Sequence, residues 1–131
     1  VVDGKIENKS GTLEDYLYKD ERNNISKVVN KGKKNAKFAK LDYDVIKYDE
    51  VKNLSLVKVN LHTGRHHQIR VQLSNFGHSI FGDQKYGTRG QGKQIALWAY
   101  ELTINHPITK EEITFKDLPE SVGTWCILRN R

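Results

Sequence analysis

The chain has 131 residues, of which 37% are hydrophobic, and this length suffices for one core in a single domain. Its 22 Lys and Arg residues outnumber its 16 Asp and Glu residues, and the resulting net charge of +6 favours an anionic partner such as nucleic acid over neutral metabolites. The single cysteine, Cys126, excludes an intramolecular disulfide, and no apolar stretch is long enough to span a membrane, so we expect a cytoplasmic chain.

The first residues have the pattern of the end of a strand. Val1 and Val2 favour β structure, and the turn-forming pair Asp3 and Gly4 follows them. The sequence also contains no methionine. We therefore expect that residue 1 is not where the natural protein begins.

The next segment, SGTLEDYLYKD, predicts a short helix. Thr12 precedes Asp15 by three residues, as in a helix cap, and Leu13, Tyr16 and Leu17 have helical spacing. We expect this helix to have a purely structural role.

A lysine-rich segment follows at residues 27–40, KVVNKGKKNAKFAK. It has six lysines and no acidic residue, and its Gly32 and two asparagines argue against regular structure. Two interpretations stay open: a solvated loop, or a mobile arm that binds phosphates through residues such as Lys33 and Lys34.

Later segments alternate apolar and polar residues, as half-buried strands do. Residues 39–45 and 57–61 are separated by a polar turn, which predicts an antiparallel hairpin. Residues 96–104 alternate in the same way and are expected to pair with residues 113–115. We predict a mixed α+β fold in one domain, mainly antiparallel sheet with few helices.

The segment HTGRHHQIRVQL, residues 62–73, concentrates three histidines, two arginines and two glutamines around one glycine. Its spacing predicts a helix over residues 66–75, with Gly77 as the C-terminal stop. The buried stripe of this helix would consist of Ile69, Leu73 and Phe76.

Arg70 lies at the edge of that stripe. There it either extends to solvent or projects its guanidinium into a cleft toward a carboxylate or phosphate, and the sequence leaves both open. His62, His66 and His67 have no nearby Cys, Asp or Glu to complete a metal site, so we expect no metal. No serine or cysteine stands in a motif with them to act as a hydrolytic nucleophile.

A second basic zone continues from this segment into the glycine-rich stretch FGDQKYGTRGQGKQ. From His62 to Lys93 there are five Lys or Arg residues and one acidic residue. Lys85 and Arg89 are therefore candidates for contact with an anionic partner.

Residues 61–87, LHTGRHHQIRVQLSNFGHSIFGDQKYG, resemble the signature of the RluA family of pseudouridine synthases, L-x-TGR-x-HQIR-x-x-L-x-x-x-GH-x-I-x-GD-x-x-YG. The GTLEDYL and lysine-rich segments upstream, and ALWAYELTINHPITKEEITF downstream, follow in the order that the family implies. The resemblance implies the pseudouridine synthase fold, a mixed sheet with an RNA-binding cleft. Residues 1–131 would be the C-terminal portion of its catalytic domain.

The resemblance also implies a reaction, the isomerisation of uridine to pseudouridine in ribosomal or transfer RNA without metal or organic cofactor. The target base must leave the stack, so a basic cleft is needed. Such enzymes use a nucleophilic aspartate, an arginine that pairs with it and a tyrosine near the flipped base, and the arginine corresponds to Arg70. The residues expected to contact RNA are Arg65, His66, His67, Gln68, Lys85, Arg89, Lys33 and Lys34.

The nucleophile itself is missing from these residues. The family carries its aspartate in an R-L-D motif, and neither that motif nor the tyrosine strand precedes TGR here. We reject Asp42 of KLDYD, because it lacks the preceding arginine and follows the GTLEDYL segment. Both catalytic residues are expected just upstream of Val1. The chain would then be an inactive fragment of a synthase that lacks the N-terminal half of its domain; the alternative is a stand-alone, non-catalytic RNA-binding module.

Without that aspartate, we expect the guanidinium of Arg70 to be solvent-paired, disordered or bound to an adventitious anion, since an unpaired buried charge is costly. An ordered ion pair with an acid of this chain, such as Asp83, would instead favour a structural role for Arg70. The missing half would also leave apolar sheet surface uncovered, so self-association is a further expectation.

Overall fold

The computed structural model describes residues 1–87, 94–105, 108–120 and 125. The sequence-based interpretations of Arg89, Lys93 and Cys126 fall outside these residues. In the described part of the chain the elements are β1 Val2–Asp3, β2 Ser10–Asp20, β3 Ile25–Val29, β4 Lys37–Asp49, β5 Leu54–Leu61, α1 Gln68–Asn75, β6 Glu101–Asn105 and β7 Glu112–Lys116. The expected mixed α+β class with a mainly antiparallel sheet is confirmed.

The main sheet has five antiparallel strands in the order β1-β5-β4-β2-β3. The predicted hairpin is confirmed as β4 and β5, where Tyr43 lies opposite Val59. The last predicted pairing is also confirmed, because β6 and β7 form a separate two-stranded sheet. The strand predicted from residue 96 starts only at Glu101, however, since the backbone N–H of Ala96 bonds to the carbonyl of Phe81 and joins no ladder.

The predicted helix at SGTLEDYLYKD is wrong, because these residues form the whole of β2. Neighbours on both sides, β3 and β4, satisfy its backbone groups, and strand alternation places Leu17 on the buried face and Tyr16 on the other. The prediction of an irregular lysine segment is also partly wrong. Its ends belong to β3 and β4, and only residues 30–36 form the connecting turn.

The core lies between the sheet and α1. The larger buried cluster joins Leu41 and Tyr43 of β4 to Leu73 of α1 and to Ile80, and a smaller cluster consists of Leu17, Ala39 and Val71. Gly77 ends the helix at φ +94°, as predicted.

The predicted buried stripe of α1 is correct only in part. Leu73 is buried and Ile69 packs against the core, but Phe76 is 37% exposed. The buried face also includes Val71 and Gln72, and the helix begins at Gln68, two residues later than the spacing predicted. None of the helices in the described ranges is long and apolar enough to cross a membrane.

Candidate functional site

The loop from β5 into α1, residues 62–67, is held in shape by Gln68. The Oε1 atom of Gln68 accepts hydrogen bonds from Thr63 Oγ1 (2.7 Å) and from the backbone N–H of Arg65 (2.9 Å), and its Nε2 donates to the carbonyl of Lys40 (3.1 Å). Gln68 is only 3% exposed. Its amide therefore supports the loop from inside, and we reassign it from the RNA-contacting set to that role.

Arg65 lies on the outside of the same loop. Its Nε donates to the carbonyl of Phe38 (2.8 Å), which anchors the stem of an otherwise exposed side chain against β4. The rest of the guanidinium makes no hydrogen bond to the described residues.

His66 is fixed on β3 and the turn before it. Its Nδ1 lies 2.8 Å from Ser26 Oγ, its Nε2 lies 3.1 Å from Asn24 Oδ1, and its ring stacks on His67 at a centroid distance of 3.8 Å. Partial burial, together with the charge of Lys19, lowers the pKa of His66. The contacts with Ser26 and Asn24 were not predicted, because nothing local in the sequence marks a residue forty positions away.

His67 precedes α1 in the left-handed conformation, with φ +53°. Its Nδ1 lies 2.8 Å from the Tyr86 hydroxyl, which also accepts the backbone N–H of Ser26 at 2.8 Å. Since the Tyr86 hydroxyl proton then has His67 Nδ1 as its acceptor, the geometry favours the tautomer with the proton on Nε2. Burial first, and then the charge of Arg70, lowers the pKa of His67 to about 4. The residue is thus a neutral donor at neutral pH.

We expect His67 to titrate near pH 4 and to carry its proton on Nε2 at pH 7, as measured by long-range ¹H–¹⁵N imidazole spectra. The folded-state pKa of His67 lies below its usual value, so on acidification the unfolded chain is protonated at this histidine before the folded chain. The free energy of unfolding should therefore be unaffected by His67 above about pH 6.5 and should decrease between about pH 6.5 and about pH 4. A His67 midpoint near 6.5 would contradict the assignment.

Arg70 forms an ordered side-on ion pair with Asp83. Arg70 Nε donates to Asp83 Oδ2 and Arg70 Nη2 to Asp83 Oδ1, each at 2.9 Å. The backbone N–H groups of Lys85 and Tyr86 also donate to Oδ1, both at 3.0 Å. Burial alone raises the pKa of Asp83, but these hydrogen bonds outweigh it and hold the pKa below its usual value. The expectation of a solvent-paired or disordered Arg70 is therefore wrong, and the pair gives Arg70 a structural role within this chain.

The pair with Asp83 uses only one edge of the guanidinium. Among the described residues, no hydrogen-bond acceptor lies against Nη1 of Arg70 or against the outer proton of its Nη2. The Arg70 side chain is 24% exposed, whereas that of Asp83 is fully enclosed, and the guanidinium carbon lies 5.1 Å from the centroid of the Tyr86 ring. Arg70 is thus oriented by one carboxylate and presents its remaining edge outward.

Gly82 explains why Asp83 can reach back to Arg70. Its φ is +81°, and a Cβ there would collide with the carbonyl of Gln94. Only glycine allows both this turn and this close approach. The glycine that precedes Asp83 in the sequence motif is therefore required for the ion pair between Asp83 and Arg70.

The other predicted residues lie around this centre in different ways. Lys85 donates from Nζ to the carbonyl of Asn24 (2.7 Å), close to His66. Lys33 and Lys34 lie exposed in the turn between β3 and β4. The structure therefore brings Lys85 and the two histidines together beside Arg70, whereas the two lysines belong to a different element.

Asp42 has its own partners. It accepts from Thr12 Oγ1 (2.7 Å) and lies 2.7 Å from His62 Nε2, and the hydrogen bond with His62, followed by that with Thr12, lowers its pKa. The Asp42 carboxylate is thus bound by Thr12 and His62, whereas Arg70 binds Asp83. Within the described ranges no group of three His, Cys, Asp or Glu side chains is placed to hold a metal ion.

Several known proteins are similar to this chain in sequence. The family model described as RNA pseudouridylate synthase matches residues 1–75. The uncharacterized RNA pseudouridine synthase YhcT of Bacillus subtilis is 35% identical over 116 residues, covering 86% of this chain and 37% of its own length. The dual-specificity RNA pseudouridine synthase RluA of Haemophilus influenzae is 42% identical over 66 residues, covering 48% of this chain and 30% of its own.

A solved structure supports the fold. Human RNA pseudouridylate synthase domain containing 1 superposes with a TM-score of 0.79 at 23% identity, over 95% of this chain and 54% of that one. The chain spans only about a third of the length of the first curated relatives, with shares of 37%, 34% and 40%.

Proposed function

The chain belongs to the RNA pseudouridylate synthase family, and from this premise we propose that it forms part of an enzyme that isomerises uridine to pseudouridine in RNA. The reaction breaks the bond between N1 of the base and C1′ of the ribose and forms a bond from C5 to C1′. A proton leaves C5 and N1 ends protonated, so the reaction needs no oxidant or co-substrate.

The observation that carries this proposal is the half-occupied guanidinium of Arg70. Asp83 holds the Nε edge, and the Nη edge is left to receive a second carboxylate. In the proposed enzyme that carboxylate is the nucleophilic aspartate of an R-L-D motif on a segment outside these 131 residues. The ion pair with Asp83 then orients Arg70, so a structural role within the chain and a catalytic role in the enzyme do not compete.

Neither nearby acid of this chain fits the role of nucleophile. The Asp83 side chain has no exposed surface and accepts hydrogen bonds from Arg70 and two backbone N–H groups. Asp42 is bound to Thr12 and His62, and none of the arginines that the structure describes contacts it. We therefore expect the 131 residues alone to form no pseudouridine.

The RNA would lie along the basic wall beside Arg70. Arg65 and Lys85 offer charge, and neutral His67 offers a directional Nε2–H donor for a phosphate or base edge. We propose ribosomal or transfer RNA as the substrate and the cytoplasm as the setting. The choice of uridine would depend largely on segments outside this chain.

The direct test compares two proteins on one RNA transcript. The 131 residues alone are expected to leave every uridine unchanged, whereas the open reading frame extended upstream is expected to contain an in-frame R-L-D motif and to form pseudouridine. Pseudouridine made by the short chain would contradict the assignment of the nucleophile. An extended frame without the motif would favour the RNA-binding module instead.

We expect the chain to bind single-stranded RNA with an affinity that falls linearly with salt on a logarithmic plot. Arg65→Gln should make the slope shallower by about 0.7, the contribution of one phosphate on a single strand. The control Lys52→Gln removes an exposed charge in the turn before β5, at the opposite end of that strand from residues 62–67. Fluorescence anisotropy at several salt concentrations measures both variants, and equal slopes would remove Arg65 from the interface.

A further inference from the structure

A second surface with features suited to nucleic acid lies on the face of the main sheet that α1 does not cover. Leu17 and Ala39 point toward α1 and pack with Val71. Because side chains alternate along a strand, Tyr16 and Tyr18 of β2 point to the opposite face. Phe38, which lies opposite Tyr16 in the β2–β4 register, shares that face.

Two of these partly exposed rings, Tyr16 and Phe38, are in contact, and Tyr18 lies two residues further along β2 on the same face. The centroids of Tyr16 and Phe38 are 5.5 Å apart with a 55° angle between the rings, and Phe38 is 37% exposed. Large aromatic side chains on an open sheet face are costly to leave in water. Their clustering is typical of a binding surface.

Two lysines lie beside Tyr18, on a face that also carries Glu14 and Asp20 of β2. The Nζ atom of Lys33 lies 4.9 Å from the centroid of the Tyr18 ring, and exposed Lys27 lies opposite Tyr18 in the β2–β3 register. Arg65 reaches the same place from the loop beside Arg70, since its Nε bonds to the carbonyl of Phe38. The cluster is thereby continuous with the candidate site.

We propose that Tyr16, Tyr18 and Phe38, with Lys27 and Lys33, form a stacking platform for unpaired bases of RNA that flank the target nucleotide. The inference rests on the proposed function, because it assumes that the ligand of this family member is RNA. Bases stack on the aromatic rings while the lysines neutralise the phosphates between them, as on other RNA-binding sheet surfaces. An acidic peptide would use the lysines but would have no need of three rings.

The test measures the affinity of the 131-residue chain for two labelled oligomers of about ten nucleotides, oligouridine and an abasic oligomer of equal length. The double variant Tyr16→Leu/Tyr18→Leu should weaken oligouridine binding at least tenfold and leave abasic binding nearly unchanged. Tyr18→Phe keeps the ring and should bind like the wild type. Tyr48→Leu is the matched control, since Lys5 Nζ lies 5.6 Å from that ring elsewhere on the molecule. Thermal unfolding verifies that each variant is folded.

Each outcome separates this inference from the proposed function. If the wild type binds RNA but the double variant binds oligouridine equally well, the platform is overturned and the proposed function stands. Displacement of RNA by polyglutamate as readily as by RNA of equal charge would indicate a purely electrostatic surface and also overturn the platform. A wild-type chain that binds no RNA at all would overturn the platform, and the assay of the extended reading frame would then decide the proposed function.

Discussion

Replacing Asp83 with alanine is expected to lower the free energy of unfolding by about 3–5 kcal/mol, because it leaves the partly buried Arg70 cation without its partner. The substitution also removes the acceptor of the backbone N–H groups of Lys85 and Tyr86, which adds unsatisfied donors. Urea unfolding at pH 7, followed by circular dichroism, measures the change. Because a usual stability is about 5–15 kcal/mol, the Asp83→Ala variant should still fold but should unfold at a much lower urea concentration.

Two comparisons make this expectation specific to the buried pair. Asp42→Ala removes an exposed ion pair with His62 and should cause a much smaller loss. The double variant Arg70→Met/Asp83→Leu removes both charges and should regain part of the loss. Equal losses for the Asp83 and Asp42 variants would show that the Arg70 pair does not stabilise the fold.

The pH dependence follows from the same pair. The folded-state pKa of Asp83 is lowered, so its contribution to stability is present above the unfolded pKa of about 3.9 and is lost as the pH falls through the folded-state value. The wild type should therefore lose stability more steeply than Asp83→Ala below about pH 4. Parallel acid-unfolding curves would show that the carboxylate is not stabilised as the geometry indicates.

The alternation of apolar and polar residues made much of the sheet predictable from the sequence. In β2, however, the spacing of apolar residues led to the wrong prediction of a helix. Leu41 and Tyr43 alternate with polar residues, which predicts β4 correctly. Leu13 and Leu17 are compatible with both a helix and a strand. Hydrogen bonding of this segment to β3 and β4 favours the strand over the helix. Its own sequence does not indicate these neighbouring strands, which come later in the chain.

The candidate site was predictable where residues are near in sequence and not where they meet across the fold. The motif identified Arg70 and the basic loop, and Asp83 lies in the same motif. The ordered pair between them was only the alternative expectation, because the motif implies an upstream aspartate as the partner of Arg70. Ser26 gave no signal, since it joins His66 and Tyr86 from a distant strand.

Arg70→Lys in an active enzyme that contains this chain is expected to lower kcat by about 10²–10³-fold, the size of effect seen when one preorganised donor of a catalytic site is lost. Lysine keeps a positive charge for Asp83, so folding should be largely preserved. A single ammonium cannot, however, hold Asp83 on one edge and present a planar second edge to a nucleophilic carboxylate. The KM for RNA should change little, because the RNA contacts proposed for Arg65 and Lys85 remain.

Arg65→Lys is the matched control, since it makes the same substitution in the loop before α1, outside the proposed contact with the nucleophile. It should raise KM and leave kcat nearly unchanged. Rates of pseudouridine formation at saturating and limiting RNA separate the two variants. An unchanged kcat for Arg70→Lys would confine Arg70 to its ion pair with Asp83, because the edge left open by that pair would then have no part in the reaction.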